Sequence, residues 1–101
     1  MAFVRIARLD EIRPGFRRVV RAGREEILAL ECDGDLRLVS NRCPHQGFPL
    51  AQGGVNGQSL VCPRHGFRFS LEDGRCFQSA CRLDLFVPAY DGQWVGVDLR
   101  D

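Results

Sequence analysis

The chain has no lysine and is sparing with several other residues: one methionine, one tryptophan, one tyrosine and two histidines in 101 residues. Its 14 cationic side chains are therefore all arginines, and 13 acidic ones leave a formal net charge of +1. A balance this even gives no reason to expect nucleic acid or an anionic membrane as the main partner. Long apolar runs are also missing. No window approaches the ~20 apolar residues that cross a bilayer, and "MAFVRIARLDEI" lacks the continuous apolar segment of a secretory signal. The expectation is a cytoplasmic protein. No internal repeat occurs, and no stretch is long enough for a βαβ crossover. With 45% apolar and 27% charged residues, the composition is that of an ordinary globular domain. One domain over residues 1–101 is expected, large enough to bury roughly two-thirds of the surface its unfolded chain would expose.

Turn signals are plentiful. Asp33-Gly34, Asn56-Gly57, Asp73-Gly74 and Asp91-Gly92 are pairs suited to tight hairpin turns, because glycine takes positive φ freely and Asn or Asp tolerates the neighbouring position. Short strand-like runs flank them. "WVGVDL" alternates, with Val95, Val97 and Leu99 on one face and Trp94, Gly96 and Asp98 on the other. "FVRIA" sets Val4 and Ile6 opposite Phe3 and Arg5, and "EEILALECDGDLRLVS" reads as a hairpin turning at Asp33-Gly34. The one helix candidate, "RLDEIRPG", is short and stopped by Pro14 and Gly15. Many short strands with regular turns predict an all-β, antiparallel sandwich or small barrel. Between about residues 41 and 75 glycine, proline and aromatics take over and the alternation weakens. That segment reads as a loop-built site inserted into the β scaffold.

The cysteines sharpen this. Five of them, an odd number at irregular spacing, argue against a disulfide framework and towards ligands plus incidental thiols. "CPHQGFPL" (43–50) pairs Cys43 with His45, and "CPRHGFRF" (62–69) pairs Cys62 with His65; these segments hold both histidines of the chain. Each cysteine precedes a proline, which stiffens the loop, and each histidine is soon followed by a glycine, Gly47 or Gly66. Glycine lets backbone amides approach closely, and such amides could donate to sulfur, one way of tuning an iron–sulfur cluster. Zinc fingers commonly keep their cysteine and histidine pairs on separate elements, whereas each loop here mixes the two. The donor set suits either tetrahedral zinc or a two-iron cluster in which each loop gives one ligand to each iron.

With C-P-H-x-G at 43–47, C-P-x-H-G at 62–66 and sixteen residues between His45 and Cys62, the chain resembles the Rieske [2Fe–2S] family. The likeness runs from "GDLRLVSNRCPHQGFPLAQGGVNGQSLVCPRHGFRFSLEDGRC" to "LFVPAYDGQWVGVDL", which resembles the closing hairpin of small Rieske ferredoxins. The resemblance implies the Rieske iron–sulfur fold, an antiparallel β-sandwich or barrel carrying a small inserted cluster-binding subdomain made of two loops. It also implies one [2Fe–2S] cluster, with Cys43 and Cys62 on the inner iron and His45 and His65 on the outer. Two ferric ions, two sulfides, two thiolates and two neutral imidazoles sum to zero charge, against −2 for a four-thiolate cluster, so a Rieske centre is the easier to reduce. Loss of the remaining imidazole protons should make its potential fall as pH rises.

Departures from the family refine the expectation. High-potential members carry an extra cysteine in each loop, forming a disulfide; Phe48 and Arg64 stand at those positions. Their Ser and Tyr hydroxyl donors fall where this chain has Phe67 and Phe69. Fewer donors to the cluster place its potential near about −150 mV rather than about +300 mV. In "QSACRLDLFVPAY" Ser79 replaces a common proline and Pro88 is displaced, so the segment covering the cluster is expected to be built differently.

Such a cluster leaves its irons no open position. Rieske oxygenases add a mononuclear iron held by two histidines and a carboxylate, and this chain has no histidine to spare. The reading is a one-electron carrier without catalytic residues. By resemblance it is the ferredoxin of an oxygenase system, passing electrons from a flavin-dependent reductase to a terminal oxygenase of the aromatic-ring dioxygenase type. The alternatives are a small Rieske subunit of another reductase, such as nitrite reductase, and a structural zinc module. Partners would dock near His45 and His65, where Phe48, Pro49, Leu50, Pro63 and Phe67 could form an apolar patch; redox encounters often use less than about 1,200 Å². Arg64 could steer an acidic partner there. Cys32, Cys76 and Cys81 read as structural thiols, Trp94 as a packing or half-buried strand residue, and Arg13, Arg17, Arg18, Arg21 and Arg24 as a solvated face. At least one of Phe67 and Phe69 should pack inward.

Overall fold

The computed structural model describes residues 2–44, 47–64 and 66–99. Its strands are β1 (Ala2–Arg8), β2 (Arg17–Ala22), β3 (Glu25–Cys32), β4 (Asp35–Ser40), β5 (Gly54–Asn56), β6 (Ser59–Val61), β7 (Arg68–Ser70), β8 (Leu85–Phe86), β9 (Ala89–Asp91) and β10 (Trp94–Leu99). They form three antiparallel sheets, ordered β1-β10-β9, β2-β3-β4-β8 and β5-β6-β7. The protein is all-β, as expected. The helix candidate contracts to a single 3-10 turn, Leu9–Glu11, in which the Glu11 carboxylate accepts the Arg8 N–H at 2.8 Å. Pro14 and Gly15 leave too few residues to repay the cost of nucleating an α-helix.

Hairpin geometry follows the glycines more closely than the dipeptides. Asp33 and Gly34 both have positive φ, 53° and 84°, which is what a type I′ turn between β3 and β4 requires. Two other turns lie one residue later than the sequence suggests. Asn56 pairs with Ser59 and Asp91 with Trp94, so Gly57-Gln58 and Gly92-Gln93 are the connecting residues. Their glycines, at φ 64° and 62°, take the first central position, where type II′ turns need positive φ. Gly23-Arg24, which carries no Asn or Asp signal, joins β2 to β3 in the same manner.

β3 lies in the middle sheet and is buried on both faces, which explains its nearly continuous apolar run. Ile27 and Ala29 pack with Ile6, Leu38, Val95 and Val97, a core closed by the β1-β10-β9 sheet. Leu28, Leu30 and Cys32 point the other way, into a core with Val39, Leu50, Leu60 and Phe69 that is closed by the β5-β6-β7 sheet and its loops. In β10 Val95 and Val97 are buried as expected and Asp98 is exposed, while Gly96, on the opposite face, is buried too. β1 does not. Its register shifts between Arg5 and Ala7, making Ile6 an extra residue, and both Ile6 and Ala7 are buried.

Candidate metal centre

The loops quoted above are built alike. In the first, the Cys43 N–H donates to the Phe48 carbonyl at 2.8 Å, and the Gly47 N–H donates back to the Cys43 carbonyl at 2.6 Å. In the second, the Cys62 N–H donates to the Phe67 carbonyl at 2.8 Å, and the Gly66 N–H to the Cys62 carbonyl at 3.0 Å. Offsets from the cysteine are identical. Gly47 and Gly66 adopt φ of 74° and 72°, so both turns close through a left-handed residue at the same place. The amides of these two glycines donate to cysteine carbonyls, and positive φ is what the positions require of glycine. Pro44 and Pro63, having no N–H, occupy exposed positions at no hydrogen-bonding cost.

Cys43 and Cys62 are brought into one core, only 2% and 1% exposed. His45 and His65 lie outside the described residues. Of the residues anticipated as an apolar patch, Phe48 and Phe67 are half-buried and Pro49 and Pro63 exposed, but Leu50 is fully buried in the core. Its burial follows from its anchor, since the Leu50 N–H donates to the buried Asn41 side chain at 3.0 Å. Phe69 is a core residue with no exposure. Phe48 and Arg64 meet across the loops: the Arg64 guanidinium carbon stands 5.5 Å from the Phe48 ring centroid.

Several residues that sequence reasoning missed hold this region in place. Asn41 is buried and also donates to the Glu26 carboxylate at 2.9 Å, so one amide fixes the start and the end of the Cys43 loop. Arg17 reaches from β2 to the carbonyls of Ala51 and Gly53, at 2.7 and 2.6 Å. Arg18 bonds the Ile6 carbonyl at 2.9 Å and Glu11 at 2.8 Å. These two arginines are thus fasteners between layers, not members of a free solvated face. At the tip of the β3–β4 hairpin, the Cys32 thiol donates to the Gly57 carbonyl at 3.2 Å, and Gln58 donates to Asp33. Burial first, and then the Asp33 charge, push the Cys32 thiol above its ordinary value of 9.0, which keeps it a protonated donor. Gln78 accepts the Arg68 N–H at 2.9 Å and reaches the Gly66 carbonyl at 3.5 Å, while Ser79 accepts the Cys81 N–H at 3.1 Å. Side-chain bonds therefore shape the segment in which a proline was missing. Cys32, Cys76 and Cys81 are thiols, with no Cys76–Cys81 disulfide. Trp94 is half-buried, with Arg5 stacked 4.8 Å from its ring.

A position for a signal exists only in part for these missed residues. Asn41 is a polar residue at the end of an apolar strand, yet nothing local says that it is buried. Arg17 and Arg18 look like any charged pair on an edge strand.

Cys43 and Cys62, buried on matched loops that share one core, are soft donors that a metal group could use. The comparisons with known proteins speak to the family. The Rieske [2Fe-2S] domain model matches residues 2–90. The chain is 39% identical over 75 residues to the oxygenase component of chloroacetanilide N-alkylformylase of Rhizorhabdus wittichii, an alignment covering 74% of this chain and 21% of that protein. It spans about a fifth or less of the length of the first curated relatives it matches. Among solved structures it is similar to the ferredoxin of carbazole 1,9a-dioxygenase from Nocardioides aromaticivorans IC177, with a TM-score of 0.85 and 22% identity over 99% of this chain and 100% of that one. A protein assigned as the small subunit of an NADH-dependent nitrite reductase in Mycobacterium tuberculosis gives a TM-score of 0.79 at 19% identity, over 95% of this chain and 93% of that one. At these identities the solved structures speak for the fold alone. Among the described residues no helix is long and apolar enough to cross a membrane. The chain belongs to the Rieske [2Fe-2S] domain family, whose cofactor is a [2Fe–2S] cluster with two cysteine and two histidine ligands.

Proposed function

We propose that this chain is a one-electron carrier whose cluster is held by Cys43 and Cys62 on the inner iron and by His45 and His65 on the outer. The observation that supports it most directly is the matched pair of loops with both cysteines buried in one core. When bound, the cluster supplies reversible one-electron chemistry. The protein's own part is to hold the sulfurs still and keep water from them. Cys43 and Cys62 are shielded by Leu28, Leu50, Leu60 and Phe69, and their loops are pinned by Asn41 and Arg17. Residues 41–75 form the cluster-bearing part of a single unit over 1–101. No residue is assigned a catalytic role.

The partner reading is more specific. A flavin-dependent reductase would supply the electrons and a terminal oxygenase of the ring-hydroxylating type would accept them, at a surface near His45 and His65. The near-complete mutual coverage with a free-standing dioxygenase ferredoxin supports this. A small nitrite reductase subunit is the second reading, favoured by a similar coverage; an intact ligand set disfavours it, since many such subunits lack one. The three thiols fit a reducing cytoplasm.

Anaerobically purified protein should contain iron and acid-labile sulfide in equal amounts, two of each per chain, and show an EPR signal only when reduced. A colourless protein with one zinc would overturn the assignment. Voltammetry should place the potential near about −150 mV; a value well above zero would remove the low-potential reading. Capture of a flavoprotein that reduces the carrier would identify the donor, and transfer to an oxygenase or to a nitrite reductase would separate the two partner readings.

A further inference from the structure

Phe48 and Arg64 take no part in the proposed ligation, yet they connect its two halves. Phe48 ends the first loop, where its carbonyl accepts the Cys43 N–H, and its half-buried ring packs on the core that contains both cysteines. Arg64 lies in the second loop, two residues after Cys62, and is exposed. Among the described residues the ion pairs are Arg8–Asp10 and Arg18–Glu11, so what Arg64 meets is the Phe48 ring, at 5.5 Å, and not a carboxylate. A guanidinium within about 6 Å of a ring centroid is attracted by the ring's negative face. Its planar shape also stacks where an ammonium would not.

We propose that Arg64 stacked on Phe48 is a non-covalent clamp between the two cluster loops, which holds their tips together and fixes one positive charge beside the cluster. Both are positioning residues. The clamp acts on the loop closures at Gly47 and Gly66, because the two backbone hydrogen bonds that close each loop lie within that loop and do not tie it to the other. The charge favours the reduced state, which carries one more electron. This second effect rests on the cluster reading; the first does not.

The test uses the full chain and the variants Arg64→Gln, Arg64→Lys, Phe48→Leu and the double variant Arg64→Gln/Phe48→Leu. Amide hydrogen exchange at Gly47 and Gly66, and release of iron to a chelator, should each quicken about two- to fivefold in Arg64→Gln and in Phe48→Leu. The double variant should be no faster than the faster single one, since both remove the same contact. Phe48→Leu alters no charge, yet should lower the reduction potential in the same direction as Arg64→Gln and by less, because the guanidinium leaves its fixed place. Arg64→Lys should keep the potential near wild type while recovering only part of the exchange protection. Wild-type exchange in both single variants, or effects that multiply in the double variant, would overturn the clamp. Wild-type protein that holds no paired iron and sulfide would instead defeat the functional reading, while the exchange measurements would still decide the clamp.

Discussion

On one side of the middle sheet, Ile27, Ala29 and Leu38 meet a second sheet whose β1 and β10 run seven and six residues. On the other side, Leu28, Leu30 and Val39 meet two loops and a sheet of three-residue strands. The first core is aliphatic and is held by backbone ladders on both walls. The second contains Cys32, Cys43, Cys62 and Cys76, and its outer wall has little ladder of its own. Side chains do there what strands do elsewhere: Asn41, Arg17, Cys32 and Gln78 bond backbone groups of the outer wall. A regular sheet thus closes one core, and an irregular one is fastened over the other, which contains Cys43 and Cys62.

The comparison breaks most severely at the cysteines. Cys62→Ser should abolish binding of paired iron and sulfide while the β1-β10 ladder persists; full retention of the cluster would refute the ligand assignment. Next in size are the two faces of β3. Ile27→Ala and Leu28→Ala each remove a fully buried side chain and should each destabilise by about 2–5 kcal/mol in urea unfolding. Only Leu28→Ala should also speed cluster loss, so equal loss from Ile27→Ala would show that the two cores act as one. Asn41→Ala leaves the Leu50 N–H buried without its acceptor and should cost about 1–3 kcal/mol, with faster cluster release. Arg17→Met keeps the stem but drops two bonds to carbonyls, one exposed and one part-buried, and a loss of about 1 kcal/mol is expected from the same titration.

The smallest effect is electrostatic. The Arg8 N–H first, and then the Arg18 guanidinium, hold the Glu11 carboxyl below its ordinary value of 4.5. A carboxyl lowered on folding lends stability that is present above its unfolded value and lost as pH falls through the folded one. Stability should therefore decline below about pH 4.5, slightly, because the group is exposed. In Glu11→Gln that part of the acid dependence should vanish.

Legibility followed range. The β3–β4 hairpin was readable because its two requirements, alternating burial and two residues tolerant of positive φ, sit within sixteen consecutive residues. The cluster loops were readable because cysteine, proline, histidine and glycine recur at short offsets. Reading Asn56-Gly57 and Asp91-Gly92 as I′-like turns erred by one residue, since a lone positive φ at the glycine favours the II′ geometry. Leu50 was misplaced because loop sequence does not announce which of its apolar residues an anchor pulls inward.

The sequence by itself determined the all-β class, the hairpin order and the two loops that pair Cys with His, because period-two burial, glycine φ and ligand offsets are local properties of the chain. Only the tertiary structure decided which face of β3 serves the cysteines, which arginines act as fasteners, and that Arg64 lies over Phe48. Those outcomes join residues 7 to 36 positions apart through hydrogen bonds, or sixteen apart in the cation–π pair. At such separations no local pattern records the partner, and the packing of the layers selects it.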